Sequence, residues 1–150
     1  MTEQQTVDLV EWLTKVWDEE ERAAKACFSI NVLADMLNGI QPPRWVRDGA
    51  RIYDDRARGN GQPIVRVGHS WAREIDHIVT HDPASVLARI AADRAILDLH
   101  AQAWDTSKDE RAEPYDHCAT CWGGWPCPTL RLLASPYKGR EGWQENWDHE

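Results

Sequence analysis

The chain has 150 residues, with 17 Lys and Arg against 25 Asp and Glu, a formal net charge of -8 and a pI near 5.2. A chain of this length buries roughly 70% of its unfolded surface, and 42% hydrophobic with 9% aromatic residues excludes an intrinsically disordered segment. No stretch reaches the ~18 uninterrupted apolar residues of a membrane span, and the start at Met1–Gln5 lacks the basic and apolar regions of a signal peptide. The expectation is a cytoplasmic protein with no membrane partner, folded as a single domain over residues 1–150.

Residues 6–38 read as helical, beginning with an amphipathic helix over 6–26. Val7, Val10, Leu13, Val16 and Trp17 recur at the three- and four-residue spacings of one helix face, with Asp18–Glu21 beyond them. The apolar pattern from Cys27 to Leu37 continues to Asn38-Gly39, a stop signal reinforced by Pro42-Pro43. From Arg44 the period changes. Trp45-Val46, Ile52-Tyr53 and Ile64–Val67 are short and rich in β-branched or aromatic residues, and Asp48-Gly49 and Gly59–Gly61 between them form turns. Residues 44–68 therefore predict a small antiparallel β-hairpin or three-stranded meander. Its Arg residues are expected on the solvent face, because residues 44–73 hold seven Arg, no Lys and three Asp.

Residues 70–104 predict further helices. Ser70 caps the first, and His81-Asp82-Pro83 starts the second, since Asp accepts from orphan backbone N–H groups and Pro at the first helical position loses nothing. The long central helix directs Val86, Leu87, Ile90, Ala91, Ile96 and Leu97 inward and holds Leu99, His100 and Trp104 in its last turn. Residues 105–116 are polar and read as a loop, 128–134 as a short helix, and 138–150 as a polar tail carrying Trp143 and Trp147. Nine of the thirteen aromatics are Trp, which points to indoles packed in the core and at its rim rather than to a ligand box.

Three of the four cysteines fall within ten residues, Cys118-Ala-Thr-Cys121 and Pro126-Cys127-Pro128. The two-residue gap lets both thiolates of a tight knuckle face one tetrahedral ion, and Cys127 opens a helix, whose N-terminus favours a thiolate. A structural Zn2+ module over 117–137 is expected, with Cys118, Cys121 and Cys127 as ligands. His100 and His117 compete for the fourth position. His100 is favoured, because adjacent residues direct their side chains apart and His117 adjoins Cys118. Cys27 reads as a buried small hydrophobe.

Glu74, His77 and His81 share a helix face and Asp82 follows, a set able to hold a second metal or perform acid–base chemistry. The plainer reading makes Asp82 a helix cap and gives His81 a backbone partner. No phosphate loop and no nucleophile elbow is present.

The motifs His77-Ile78-x-x-His81-Asp82-Pro83-Ala84, Arg94-x-Ile96-Leu97-x-Leu99-His100, Cys118-x-x-Cys121 and Pro126-Cys127-Pro128-Thr129-Leu130-Arg131-Leu132-Leu133-Ala134-x-Pro136-Tyr137 span most of the chain after residue 70. They resemble an uncharacterised family of small proteins from actinobacteria and their phages. The resemblance implies an intracellular bacterial or phage origin and little about mechanism.

The fold expectation is therefore α+β: an N-terminal helix, a small antiparallel hairpin or meander, a long central helix and a C-terminal zinc-knuckle-like module. The leading functional reading is a non-enzymatic interaction protein with a protein partner. One rival is a nucleic-acid binder using Arg44, Arg47, Arg51, Arg56, Arg58, Arg66 and Arg73, opposed by the net charge of -8. The other is a metal-dependent hydrolase using Glu74, His77, His81 and Asp82.

Overall fold

The structure, a computed structural model, describes residues 8–56, 63–66, 72–105 and 115–148. Among these the architecture is α+β, with five α-helices and two small antiparallel sheets. The chain divides into two compact units, Glu19–Ile90 and, as the other, Met1–Asp18 with Ala91–Glu150. The boundaries fall inside the first and fourth helices. Arg58, Ser70 and residues 106–114 of the expected polar loop lie outside the described residues.

Helix α1, Leu9–Lys25, starts where Asp8 Oδ1 accepts from the amides of Val10 at 2.7 Å and Glu11 at 3.3 Å. It ends at Lys25, close to the expected end at 26. Ser29 has extended backbone and its Oγ accepts from Val32 N at 3.4 Å, so a second helix, α2 (Ile30–Leu37), is capped independently. Cys27 lies in the break and is exposed, which corrects its expected burial. None of the α2 side chains is fully buried.

In the Glu19–Ile90 unit, strands β1 (Trp45–Asp48), β2 (Arg51–Asp54) and β3 (Val65–Arg66) form the expected meander in the order β1-β2-β3, both pairings antiparallel. Gly49, at φ +59°, supplies the left-handed residue that the tight β1–β2 turn needs. Ile52 and Tyr53 of β2 are buried, together with Ile75 of helix α3 (Ala72–Thr80) and Ala84 and Ile90 of helix α4 (Pro83–Leu99). Burying each of the larger apolar side chains contributes about 1.5–3 kcal/mol.

Three arginines on the expected solvent-facing side are also ion-paired. Arg47 pairs with Asp76 of α3 at 2.7 Å, Arg56 pairs with Asp35 of α2 at 3.4 Å, and Arg44 Nε meets Asp82 at 2.9 Å. A guanidinium reaches across neighbouring elements, and here its charge ties the strands to three helices.

Asp82 is fully buried and receives three donors: Trp45 N at 2.9 Å, Arg44 Nε at 2.9 Å and Ser85 N at 2.7 Å. It is the cap of α4 expected from Asp82-Pro83 and also the anchor of the first residue of β1. His81 Nδ1 lies 3.0 Å from His77 O, the expected backbone partner.

Helix α4 ends at Leu99 rather than at residue 104, with His100 N shared between the carbonyls of Ile96 and Leu97 at 3.1 Å each. Ala91 is exposed rather than core-facing. The chain then enters strand β4 (Gln102–Asp105), which pairs antiparallel with β5 (Tyr115–Cys118), so Trp104 is in a strand and not in a helical turn. Both ends of the stretch expected as a loop are therefore ladder. Helix α5, Pro128–Ala134, agrees with the expected short helix and buries Leu130 and Ala134.

The expected polar tail is packed in the unit that holds the first half of α1. Trp12, Trp143 and Trp147 form a triad with ring centroids 5.2–5.7 Å apart, and Trp147 is buried. Trp12 Nε1 donates to Glu141 O at 3.0 Å. Gly142, at φ +85°, leaves no room for a side chain, because a Cβ there would lie 2.9 Å from Trp12 Nε1. Gly142→Ala adds a left-handed strain to this clash and is expected to destabilise by about 1–3 kcal/mol. Thermal unfolding read by near-ultraviolet circular dichroism checks it; an unchanged melt and Trp spectrum would show that the triad does not depend on this approach.

Candidate metal centre

Four donor atoms, from His100, Cys118, Cys121 and Cys127, lie within 4.8 Å of one another. Each arrives by a different local device. Cys118 ends β5, and the ladder pairs it with Gln102, two residues beyond His100. Ala119 N donates to Ala101 O at 2.9 Å, and Thr120 Oγ1 donates to Leu99 O, so the knuckle is laced to the segment carrying the imidazole. Cys121 follows in a tight turn in which Cys118 N donates to Gly123 O and Trp122 N to Cys118 O, both at 2.9 Å. Trp122 takes φ +56° to close it. Cys127 is the N-cap residue of α5, with Pro128 at the first helical position.

His100 Nδ1 is 3.4 Å from Cys118 Sγ, 3.3 Å from Cys121 Sγ and 3.6 Å from Cys127 Sγ. Cys118 and Cys127 are fully buried, while Cys121 is exposed. Cys121 N donates to Cys118 Sγ at 3.4 Å. Burial alone pushes the Cys118 thiol up, but the Cys121 and Thr120 amides, with the His100 and Cys127 side chains, outweigh it and bring the thiol to about 6. The Cys121 thiol is pushed up, by partial desolvation and then by the sulfurs of Cys118 and Cys127. One sulfur is thus poised as a thiolate while its neighbour resists adding a second negative charge. A cation between them removes that conflict, since a coordinated thiol is deprotonated outright.

The four residues named from the sequence are the four brought together, although the route differs from the expected one. The spacing predicts a continuous helix holding Leu99, His100 and Trp104 in its last turn. In the structure the helix has ended, and strand pairing delivers the imidazole. His117 is not among the clustered donors: its strand neighbour Cys118 faces the cluster, and successive strand residues alternate sides. It is buried and stacks on Trp122, ring centroids 5.4 Å apart. Thr120, whose hydroxyl fastens the knuckle to Leu99, carries no sequence signal. A Thr inside a Cys-x-x-Cys loop looks like any other turn residue.

Of the second sequence cluster, His77 and His81 are neighbours, with ring centroids 4.2 Å apart. Asp82 spends its carboxylate on Trp45 N, Arg44 and Ser85 N. Among the described residues, no second group of three or more His, Cys, Asp or Glu side chains converges as closely as the His100 cluster.

No described helix is long and apolar enough to cross a membrane. No curated protein and no solved structure matches the chain. One family model does match, over residues 6–149, which includes both sequence clusters and all four clustered donors. The chain belongs to DUF6221, a family of unknown function.

Proposed function

We propose that the protein is a non-enzymatic, zinc-stabilised interaction protein of the bacterial or phage cytoplasm that binds a protein partner. The carrying observation is the cluster of three sulfurs and one imidazole nitrogen within 4.8 Å. Zinc bonds of about 2.3 Å to sulfur and about 2.0–2.1 Å to nitrogen at a tetrahedral angle require sulfur–nitrogen separations of roughly 3.5 Å. The three separations here are 3.3–3.6 Å. Four protein ligands leave no open position for a substrate, which is the arrangement of structural rather than catalytic zinc. His100 and the three cysteines hold the ion, and its binding supplies folding free energy to a Gly- and Trp-rich segment with little core of its own.

The interaction reading rests on the residues beside the ligands. Trp122 and Leu99 each adjoin a ligand and are 73% and 66% exposed. An indole held outward by a rigid knuckle is the type of anchor that protein partners use. The nucleic-acid reading has less support, because Arg44, Arg47 and Arg56 are engaged with carboxylates.

Protein purified without added metal is expected to carry about one zinc per chain by elemental analysis, with Cys118, Cys121 and Cys127 unreactive to thiol reagents until a chelator is added. Absence of zinc together with three reactive thiols would refute the metal. Proteins retained by the wild-type chain and lost with Trp122→Ala would support the partner surface; identical retention would refute it.

A further inference from the structure

The Glu19–Ile90 unit contains an open cleft of about 500 Å³ that the metal centre does not use, lined by the second half of α1, the start of β1, α3 and the first turns of α4. That volume is within the range of small-molecule sites, roughly 300–1,000 Å³. Its walls are almost wholly apolar, from side chains such as Ala23, Ile78 and Val86. Aromatic rings form part of the wall: Trp45, and the His77 and His81 imidazoles, whose centroids are 4.2 Å apart at a tilted interplanar angle of 39°. His81 is held in place through Nδ1, 3.0 Å from His77 O, which leaves its Nε2 as the atom able to meet a polar group.

The two charged residues in the lining, Glu20 and Arg89, face one another at 2.6 Å. Each is the other's counter-ion, so this pair offers an ionic ligand no unmatched charge, and the mainly apolar lining favours an uncharged one. Flat rings on the wall favour a flat ring in the space, through offset or edge-on stacking.

We propose that this cavity is a binding site for an uncharged, flat aromatic small molecule, stacked against Trp45 and the His77–His81 pair and hydrogen-bonded at His81 Nε2. The proposal is independent of zinc and of the partner surface. It gives the His77–His81 motif a recognition role in place of the metal or acid–base role that its helical spacing suggests.

The test titrates the full-length, metal-loaded chain with 2-naphthol and, separately, with 2-naphthoate at neutral pH, following the imidazole carbon-bound protons of His77 and His81 by NMR. Saturable shifts of both histidines at one 2-naphthol per chain are expected, with 2-naphthoate at least about tenfold weaker. Ala23 is exposed on α1 and lines the cavity, so Ala23→Trp is expected to fill the space, weaken 2-naphthol at least about tenfold and leave the melting temperature unchanged. Should that variant fail to fold, Val86→Phe performs the same filling from α4. No saturable shift up to ~1 mM overturns the proposal, as does binding that survives the filled cavity. Equal binding of 2-naphthoate overturns the uncharged class. Histidine shifts that follow protein dilution and ignore 2-naphthol would assign the cavity to a second copy of the chain and also overturn it.

Discussion

Cys121→Ser is expected to lower the melting temperature by roughly 10 °C or more, and Cys27→Ser to leave it unchanged. Both cysteines are exposed, and an exposed substitution with no further role costs within about 0.5 kcal/mol. Cys121 differs because its sulfur is one of the four clustered donors, 3.3 Å from His100 Nδ1. Removing a ligand from a structural zinc site forfeits part of an apparent binding free energy on the order of 10 kcal/mol. Even 3–5 kcal/mol of that, at about 2–4 °C per kcal/mol for a chain of this size, gives the expected shift. Amide exchange should show residues 117–137 opening first. Serine at 121 melting with the wild type would mean that the thiols are grouped without a metal.

Asp82→Ala is expected to be the most damaging single change in the Glu19–Ile90 unit, at about 3–5 kcal/mol. The alanine leaves the start of α4 uncapped, which costs about 1 kcal/mol, and deprives Trp45 N of its acceptor. It also leaves the Arg44 guanidinium without its carboxylate; Arg44 is half-exposed, so solvent screens that part of the loss. Asp82→Asn keeps an oxygen for Ser85 N and is expected to recover roughly half of the stability. Urea unfolding of the three proteins checks the order. A neutral alanine variant would show that the buried carboxylate does not anchor the strand to the helix.

The features legible in the sequence are those written within one or two turns of chain. The apolar stripe of α1, the Gly49 turn between β1 and β2, the Asp82-Pro83 start of α4 and the Pro128–Ala134 helix follow from backbone preference and local side-chain–backbone bonds. The Cys118-x-x-Cys121 knuckle is local in the same sense, and with Cys127 six residues later it identifies three of the four donors. The fourth is a different matter. His100 reaches the sulfurs because α4 stops at Leu99 and β4 pairs with β5 in a register that sets Gln102 opposite Cys118. That pairing closes over the 106–114 segment, and strands of four residues carry too little periodicity to announce a partner.

Tertiary structure decided the remainder for the same reason. Arg44, Arg47 and Arg56 of the meander face solvent as the sequence suggests, but Asp35, Asp76 and Asp82 arrive from other elements to pair with them. The tail looks polar until Trp143 and Trp147 find Trp12, more than 130 positions earlier. Periodicity and capping are properties of neighbours along the chain, so the sequence by itself determined the elements and the knuckle. Ion pairs, aromatic triads and the cavity behind His77 and His81 are properties of neighbours in space, which depend on the packing of elements whose contacts no local pattern records.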